Sequence, residues 1–407
     1  CGHSCIDTPA ANLIAMRATR FSSQTYARRL SAAADGARAA GLAGLVITPG
    51  YDMRYLIGSR AQTFERLTAL VVPASDRGVG LGGPTLVLPR LELAALKQSA
   101  VADLGLTVRD WVDGEDPYRL VAEALGRDLG SGDADSGPTA VAVTDSMPAL
   151  HLLPLAGALG AVPVLATGVL AALRMIKDAD EIEVLRAAGA AIDRVHARVP
   201  ELLVPGRTEA QVAADITEAI VAEGHSEAAF VIVGSGPNGA DPHHECSDRV
   251  LQPGDIVVVD IGGPVEPGYN SDCTRTYSLG EPAPQIADQY AVLQRAQAAA
   301  VAAVRPGTTA ERVDAAAREV LAAAGLGEYF VHRTGHGIGL SVHEEPYIVA
   351  GNDLPLAAGM AFSVEPGVYL PGRWGARIED IVIVTEGGAA PLNVRSHDLT
   401  VVPVPGH

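Results

Sequence analysis

Short apolar runs alternate with amphipathic stretches through the first part of the chain. Tyr26 to Ala40 is rich in Ala and Arg and reads as a helix. Gly44-Leu45-Val46-Ile47-Thr48, Leu70-Val71-Val72-Pro73, Thr85-Leu86-Val87-Leu88-Pro89 and Ala140-Val141-Ala142-Val143-Thr144 read as strands. Apolar runs broken by Gly and Pro and separated by helical stretches predict an α/β domain around a central sheet, over residues 21–172. It carries no catalytic constellation: Asp113, Glu115 and Asp116 form a solvated acidic loop, and His151 is an isolated, structural histidine.

A long helix follows from about Asp178 to Val199, opened by Asp178 or Asp180 with Glu181 and Glu183 in a first turn where the helix dipole favours acids. The domain boundary is expected just before it, between Leu170 and Ile176, so that residues 173–407 make the second domain. That domain holds an internal repeat. Pro205-Gly206-Arg207-Thr208 precedes a helix through Val212, Ile216 and Ile220; Pro306-Gly307-Thr308-Thr309 precedes one through Val313, Ala317 and Val320. Aligning Thr208 with Thr309 brings His243 near His343, Asp260 near Glu365 and Asp272 near Glu379. Each half is then a helix, a loop histidine and a β-hairpin with two carboxylates, with His336 added by the second half alone.

Those residues carry the chemistry. Asp260 closes the run Ile256-Val257-Val258-Val259, a strand buried on both faces, where a carboxylate is costly to desolvate without a cation. Asp272, Thr274 and Thr276 share one strand face, and Cys273, a packed thiol, and Arg275 take the other. In the last hairpin Arg377 and Glu379 share a face, with Arg377 free to orient a carboxylate or to meet one on a substrate; Asp380 points away as a supporting group. Glycines around His336 in Gly335-His336-Gly337-Ile338-Gly339 allow close backbone approach. Four carboxylates and one imidazole suit a pair of divalent ions, Mn²⁺ first, with Co²⁺, Fe²⁺ or Zn²⁺ as alternatives, and point to metal-assisted hydrolysis. His243 and His343 are placed to stabilise an oxyanion or protonate a leaving nitrogen, and only one of His243 and His244 can face inward. Phe230 and Tyr347 are candidate pocket walls.

Composition narrows the class. Of 407 residues 48% are hydrophobic and 19% charged, which excludes a disordered chain, and the formal charge of -18 disfavours a nucleic-acid surface. No apolar run approaches the roughly 18 to 20 residues that span a bilayer. Cys1, Cys5, Cys246 and Cys273 include no C-x-x-C pair and read as free thiols in a reducing cytoplasm. Residues 1–20 lack a basic segment followed by an apolar one and read as an extension outside the fold, not a secretory signal.

With the ligand set in view, the stretch from Ile176 to Pro403 resembles the pita-bread metallopeptidases: methionine aminopeptidase, prolidase, aminopeptidase P and creatinase. The loop from Gly234-Ser235-Gly236-Pro237-Asn238 to Pro242-His243 is similar to the one that bears the family's first active-site histidine. Residues 21–170, with Asp52-Met53-Arg54-Tyr55-Leu56-Ile57-Gly58, resemble the creatinase/prolidase N-terminal domain. The resemblance implies a pseudo-symmetric α+β catalytic domain in which Asp260, Asp272, His336, Glu365 and Glu379 bind two metals. Asp272 and Glu379 would bridge them, with Asp260 on one ion and His336 and Glu365 on the other. It further implies a water nucleophile with Glu365 as general base. His243 would sit near the scissile nitrogen, His343 would support the tetrahedral intermediate, and Arg377 would organise the site. Creatinase-type enzymes lack the full ligand set. Val342-His343-Glu344-Glu345-Pro346 looks like the bacterial dipeptidase branch, so the expected activity is Xaa-Pro dipeptide hydrolysis by a homodimer. The alternatives are aminopeptidase P-like cleavage of longer peptides and a non-catalytic peptide-binding module.

Overall fold

The computed structural model describes residues 20–74, 82–126 and 140–404; Cys1, Cys5 and the rest of the proposed extension up to residue 19 lie outside the described residues. The chain divides into two compact units, over Thr19–Arg174 and Met175–His407.

In the N-terminal unit the helix Ser23–Ala39 leads into β1 (Gly44–Ile47), followed by β2 (Ala69–Pro73), β3 (Thr85–Pro89), β4 (Thr107–Trp111), β5 (Val141–Val143) and β6 (Val164–Leu165). They form one mixed sheet in the order β4-β3-β2-β1-β5-β6. The four predicted strands are its centre. The two edge strands escaped prediction: β4 carries Thr107, Arg109 and Asp110 and buries only Trp111, and β6 has two residues. His151 is structural, buried between the Tyr118 hydroxyl and the Phe64 carbonyl. In the acidic loop, Asp116 caps the helix Pro117–Ala124 and Asp113 pairs with exposed Arg66.

The second unit opens with the helix Ala179–Leu202, where Asp178 and Glu181 form a reciprocal cap. The repeat is visible in backbone detail. Thr208 and Thr309 precede 14-residue helices, Glu209–Ala222 and Ala310–Ala323, and each threonine bridges a later segment, Thr208 to Val250 and Thr309 to Pro355. In the first half β7 (Phe230–Ser235), β8 (Ile256–Val265) and β9 (Tyr269–Leu279) form antiparallel neighbours, with β17 (Thr400–Val402) beside β9. In the second, β10 (Gly335–Gly337), β11 (Glu344–Ile348), β12 (Ala361–Val364), β15 (Asp380–Thr385) and β16 (Gly388–Pro391) make a sheet, and β13 (Gly367–Leu370) pairs with β14 (Trp374–Arg377). Each half has its own apolar core, one around Val195, Ile216 and Val259, the other around Leu293, Val313 and Phe362. Fully burying such a side chain contributes about 1.5–3 kcal/mol.

Two expectations need correction. Asp260 does not end its strand: β8 continues to Val265 because its pairing with β9 runs on to the turn. Nor do Glu365 and Glu379 sit on one regular hairpin. β12 pairs directly with β15, Val364 opposite Asp380, and the β13–β14 hairpin is inserted between them. Pro366 has no N–H to extend the β12 ladder, so Glu365 falls in the break after that strand and Glu379 in the break before β15.

Two buried histidines make stability depend on pH. His196 lies between Tyr277 and the Cys273 carbonyl, and burial with the nearby Arg275 charge pushes it down to about 3. His225, between the Ile220 carbonyl and Ser271, is pushed down by burial to about 4. The unfolded chain protonates near pH 6.5, so it binds protons where the fold does not. The stability contributed by each neutral histidine is therefore full above that pH and drains away as pH falls towards 4. For His225 the loss is on the order of 3 kcal/mol at 1.36 kcal/mol per unit. The unfolding free energy of the protein minus that of His225→Gln, measured by urea titration at steps from pH 7 to 4, should shrink accordingly. A pH-independent difference would contradict a neutral His225.

Candidate active site

Pairing of β8 with β9 sets Asp260 opposite Thr274 and Gly262 opposite Asp272, so both carboxylates leave the same face of the sheet. Thr274 joins the two halves: its hydroxyl donates to Glu379 Oε2 (2.7 Å) and accepts from Arg377 Nε (2.9 Å). Arg377, 3% exposed, spends its remaining nitrogens on Asp260 Oδ2 (2.6 Å), the Tyr369 hydroxyl (2.6 Å) and the Pro242 carbonyl (3.4 Å).

His336 is delivered by the narrowest backbone in the unit. A Cβ on Gly335 would lie 1.8 Å from the Ser363 carbonyl, and one on Gly337 2.2 Å from that of Glu345, so both neighbours must be glycine. His336 Nδ1 faces the Gly337 carbonyl at 3.1 Å, which in the neutral ring favours the proton on Nδ1 and leaves the Nε2 lone pair pointing inward. Nε2 is 3.2 Å from Glu365 Oε1 and 3.6 Å from Asp272 Oδ2. Asp272, His336 and Glu379 offer ligand atoms that all lie within 4.8 Å of one another.

The electrostatics suit cations. Burial, reinforced by the Asp260 charge, raises Asp272 well above the carboxylate range, and burial with the Asp272 charge does the same to Glu379. Burial would also raise Glu365, but hydrogen bonding and charge attraction from His336 outweigh it and hold Glu365 at about 2. Asp260 Oδ1 is buried with no hydrogen-bond partner among the described residues. Crowded carboxylates that repel one another, an orphaned carboxylate oxygen and an inward imidazole nitrogen are a donor set that divalent ions fit.

These groups line a cavity of about 590 Å³ that also takes in His243, His343, Phe230, Pro242, His332 and Arg333. All eight residues singled out from the sequence therefore line one cavity. His343 stands edge-on to His336 with ring centres 4.2 Å apart, and burial followed by the His336 charge lowers it to about 4. The ambiguity between the two adjacent histidines is resolved: His243 lines the cavity, while His244 Nε2 turns back to Glu209 at 2.7 Å. Of the expected walls, Phe230 lines the cavity; Tyr347 instead supports the Arg333 guanidinium at 4.5 Å.

Sequence reasoning missed His332, Arg333 and Tyr369. His332 meets the Tyr369 hydroxyl at 2.8 Å, and that hydroxyl meets Arg377. Its position four residues before His336 was the one available signal for His332. Among the described residues, no helix is long and apolar enough to cross a membrane.

Comparison with known proteins agrees with this geometry. Residues 183–386 match the model of metallopeptidase family M24, and residues 29–176 that of the creatinase/prolidase N-terminal domain. The chain is 71% identical over 389 residues to a probable dipeptidase PepE of Mycobacterium bovis, covering 96% of this chain and 100% of that one. It is 34% identical to an Xaa-Pro dipeptidase of Lactobacillus helveticus, over 86% and 92% of the two chains. The crystal structure of dipeptidase PepE from Mycobacterium ulcerans is similar with a TM-score of 0.88 at 74% identity, covering 95% of this chain and 100% of that one. The chain belongs to metallopeptidase family M24, with a creatinase/prolidase-type N-terminal domain followed in sequence by the metallopeptidase domain.

Proposed function

We propose that this metallopeptidase hydrolyses Xaa-Pro dipeptides. The observation that carries the reading is the convergence of Asp260, Asp272, His336, Glu365 and Glu379 on one cavity that also holds His243, His343 and Arg333. The names of its relatives, a probable dipeptidase and an Xaa-Pro dipeptidase, support it.

The five residues of that set would hold two divalent ions, Mn²⁺ by preference given its affinity for oxygen donors. When bound, the ions supply Lewis-acid polarisation of the scissile carbonyl and make a water nucleophile easier to deprotonate. Glu365 would accept the proton of the attacking water. His243 donates a hydrogen bond near the scissile nitrogen, and His343 supports the oxygen that gains charge as the carbonyl carbon becomes tetrahedral. Arg377 acts from behind, fixing Asp260 and Thr274.

Arg333 supports a dipeptide over a longer substrate. Arg377 is fully engaged, whereas the Arg333 guanidinium lies over the Tyr347 ring and, among the described residues, in no ion pair. A guanidinium matches the free carboxylate that a dipeptide presents after proline; a longer peptide presents a neutral amide there. The free thiols Cys246 and Cys273 accord with a reducing cytoplasm, and family resemblance supports a homodimer.

After chelation and Mn²⁺ restoration, Ala-Pro should be cut with higher kcat/KM than Ala-Pro-Ala. Arg333→Gln should lose about 10–100-fold on Ala-Pro, mainly through KM, as expected for a charge-assisted hydrogen bond of about 1.5–3 kcal/mol. Faster cleavage of Ala-Pro-Ala would shift the assignment to an aminopeptidase P-like enzyme. No metal-dependent cleavage of either would sink the peptidase reading.

A further inference from the structure

We propose that Glu209, which does not line the cavity, is a positioning residue that fixes the loop bearing His243 and thereby sets where that imidazole stands. The proposal rests on the substrate-binding role given to His243 above. Glu209 is the first residue of the helix Glu209–Ala222, a place where an acid ordinarily meets solvent, yet it is 0% exposed. Its Oε1 accepts from the Ser235 backbone N–H (2.8 Å), the Ser235 hydroxyl (2.6 Å) and Asn238 Nδ2 (3.1 Å). Its Oε2 accepts from the Ser247 N–H (3.2 Å), the Ser247 hydroxyl (2.6 Å) and Asn238 (3.1 Å), and lies 2.7 Å from His244 Nε2. One carboxylate thus gathers both ends of the segment 235–247 and two points within it.

That segment contains His243, whose backbone N–H donates to Asp241 while its ring has no hydrogen bond among the described residues. The ring's place is therefore dictated by the backbone that carries it. His244, one residue on, is drawn to Glu209, while His243 sits in the turn closed by the His244 N–H on the Asp241 carbonyl (3.3 Å) and lines the cavity. The far side of the loop is braced by the strand that ends at Arg377: the Pro242 carbonyl accepts from Arg377, and the Gly239 carbonyl packs where a Cβ on Gly375 would lie, 1.9 Å away. A buried charge is retained only when donors surround it, and here every hydrogen-bond partner of the carboxylate belongs to the loop.

The test is a double-mutant cycle on the Mn²⁺-loaded enzyme with Ala-Pro. Glu209→Gln places an amide among donors and should lower kcat/KM about 10–100-fold, the usual effect of a supporting group. In a His243→Ala background the same change should cost less than about threefold, with Mn²⁺ affinity unchanged in both. In a His343→Ala background the full factor should persist. A full loss in the His243→Ala background, or weakened Mn²⁺ binding, would mean that Glu209 supports the unit as a whole and would overturn the proposal. Should Glu209→Gln fail to fold, Ser247→Ala removes a single donor and must show a smaller loss with the same dependence on His243. A second readout needs no activity: the Hε1 resonance of His243, identified by its loss in His243→Ala, should move in Glu209→Gln or Ser247→Ala. An unmoved resonance refutes the positioning role, whereas an inactive parent enzyme with a moved resonance refutes only the assigned reaction.

Discussion

Asp272→Asn should lose about 10³-fold or more in metal-dependent kcat/KM and yet melt at a higher temperature than the parent once both are chelated. The two effects have one cause. Asp272 is 4% exposed, with its Oδ2 3.6 Å from His336 Nε2, and it belongs to the trio whose ligand atoms lie within 4.8 Å of one another. Losing an anionic donor removes several kcal/mol of charge stabilisation by the ions, and each 1.36 kcal/mol is a factor of ten in rate. Without ions the same carboxylate is a liability. Burial, then Asp260 and Glu365, raise its pKa, so that the fold disfavours its ionised form. The sign follows: a carboxyl whose folded pKa exceeds its unfolded value contributes stability at low pH and loses it as pH rises through the folded value. The melting advantage of Asp272→Asn should therefore be present at pH 7 and fade towards pH 4. If the chelated variant melts below the parent at pH 7, the carboxylates are not mutually repulsive. If its metal-dependent rate stays within tenfold, Asp272 is not a ligand.

The parts of this site that were legible from sequence follow local periodicity. The run Ile256–Val259 before Asp260 marks a buried strand, and the period of two places Asp272, Thr274 and Thr276 on one face with Cys273 and Arg275 behind. The match of Thr208 with Thr309 is visible because each closes a Pro-Gly-x-Thr run that precedes a helix, and it led to His243 and His343. Periodicity failed where the strand does. Glu365 and Glu379 lie in breaks on either side of an inserted hairpin, and a two-residue alternation has no meaning across Pro366. Contacts made across the two halves were also hidden. Arg377 could be placed beside Glu379, but its pairing with Asp260 spans 117 positions and depends on how two sheets meet. Arg333 shows the same limit: its value lies in having no carboxylate partner among the described residues while Arg377 has one, a comparison only three dimensions allow.

The largest loss of stability is expected behind the site, at Arg275. Its Nη2 pairs with Asp380 Oδ1 at 2.7 Å, with side-chain exposures of 4% and 3%. Its other donors hold four backbone carbonyls: Glu379 (2.7 Å), Thr274 (2.9 Å), Arg395 (3.0 Å) and Ser396 (3.1 Å). Asp380 takes a second partner, His397 Nε2 at 2.6 Å. Arg275→Met keeps the length of the side chain but strands a buried carboxylate, which typically costs about 3–5 kcal/mol. At about 2–4 °C per kcal/mol for a unit of this size, the melting temperature should fall by about 6–20 °C. The Glu379 backbone loses its anchor in the same step, so Mn²⁺ affinity should fall about 10–100-fold although Arg275 is not a ligand. Adding Asp380→Leu to Arg275→Met removes the stranded charge and should recover part of the melting temperature, because most of the single-variant loss is the uncompensated carboxylate. It should not recover Mn²⁺ affinity, since only the weakly donating Cys273 thiol then reaches the Glu379 carbonyl. A double variant that melts lower by the sum of both single losses would show that Arg275 acts through its carbonyl contacts and not through Asp380.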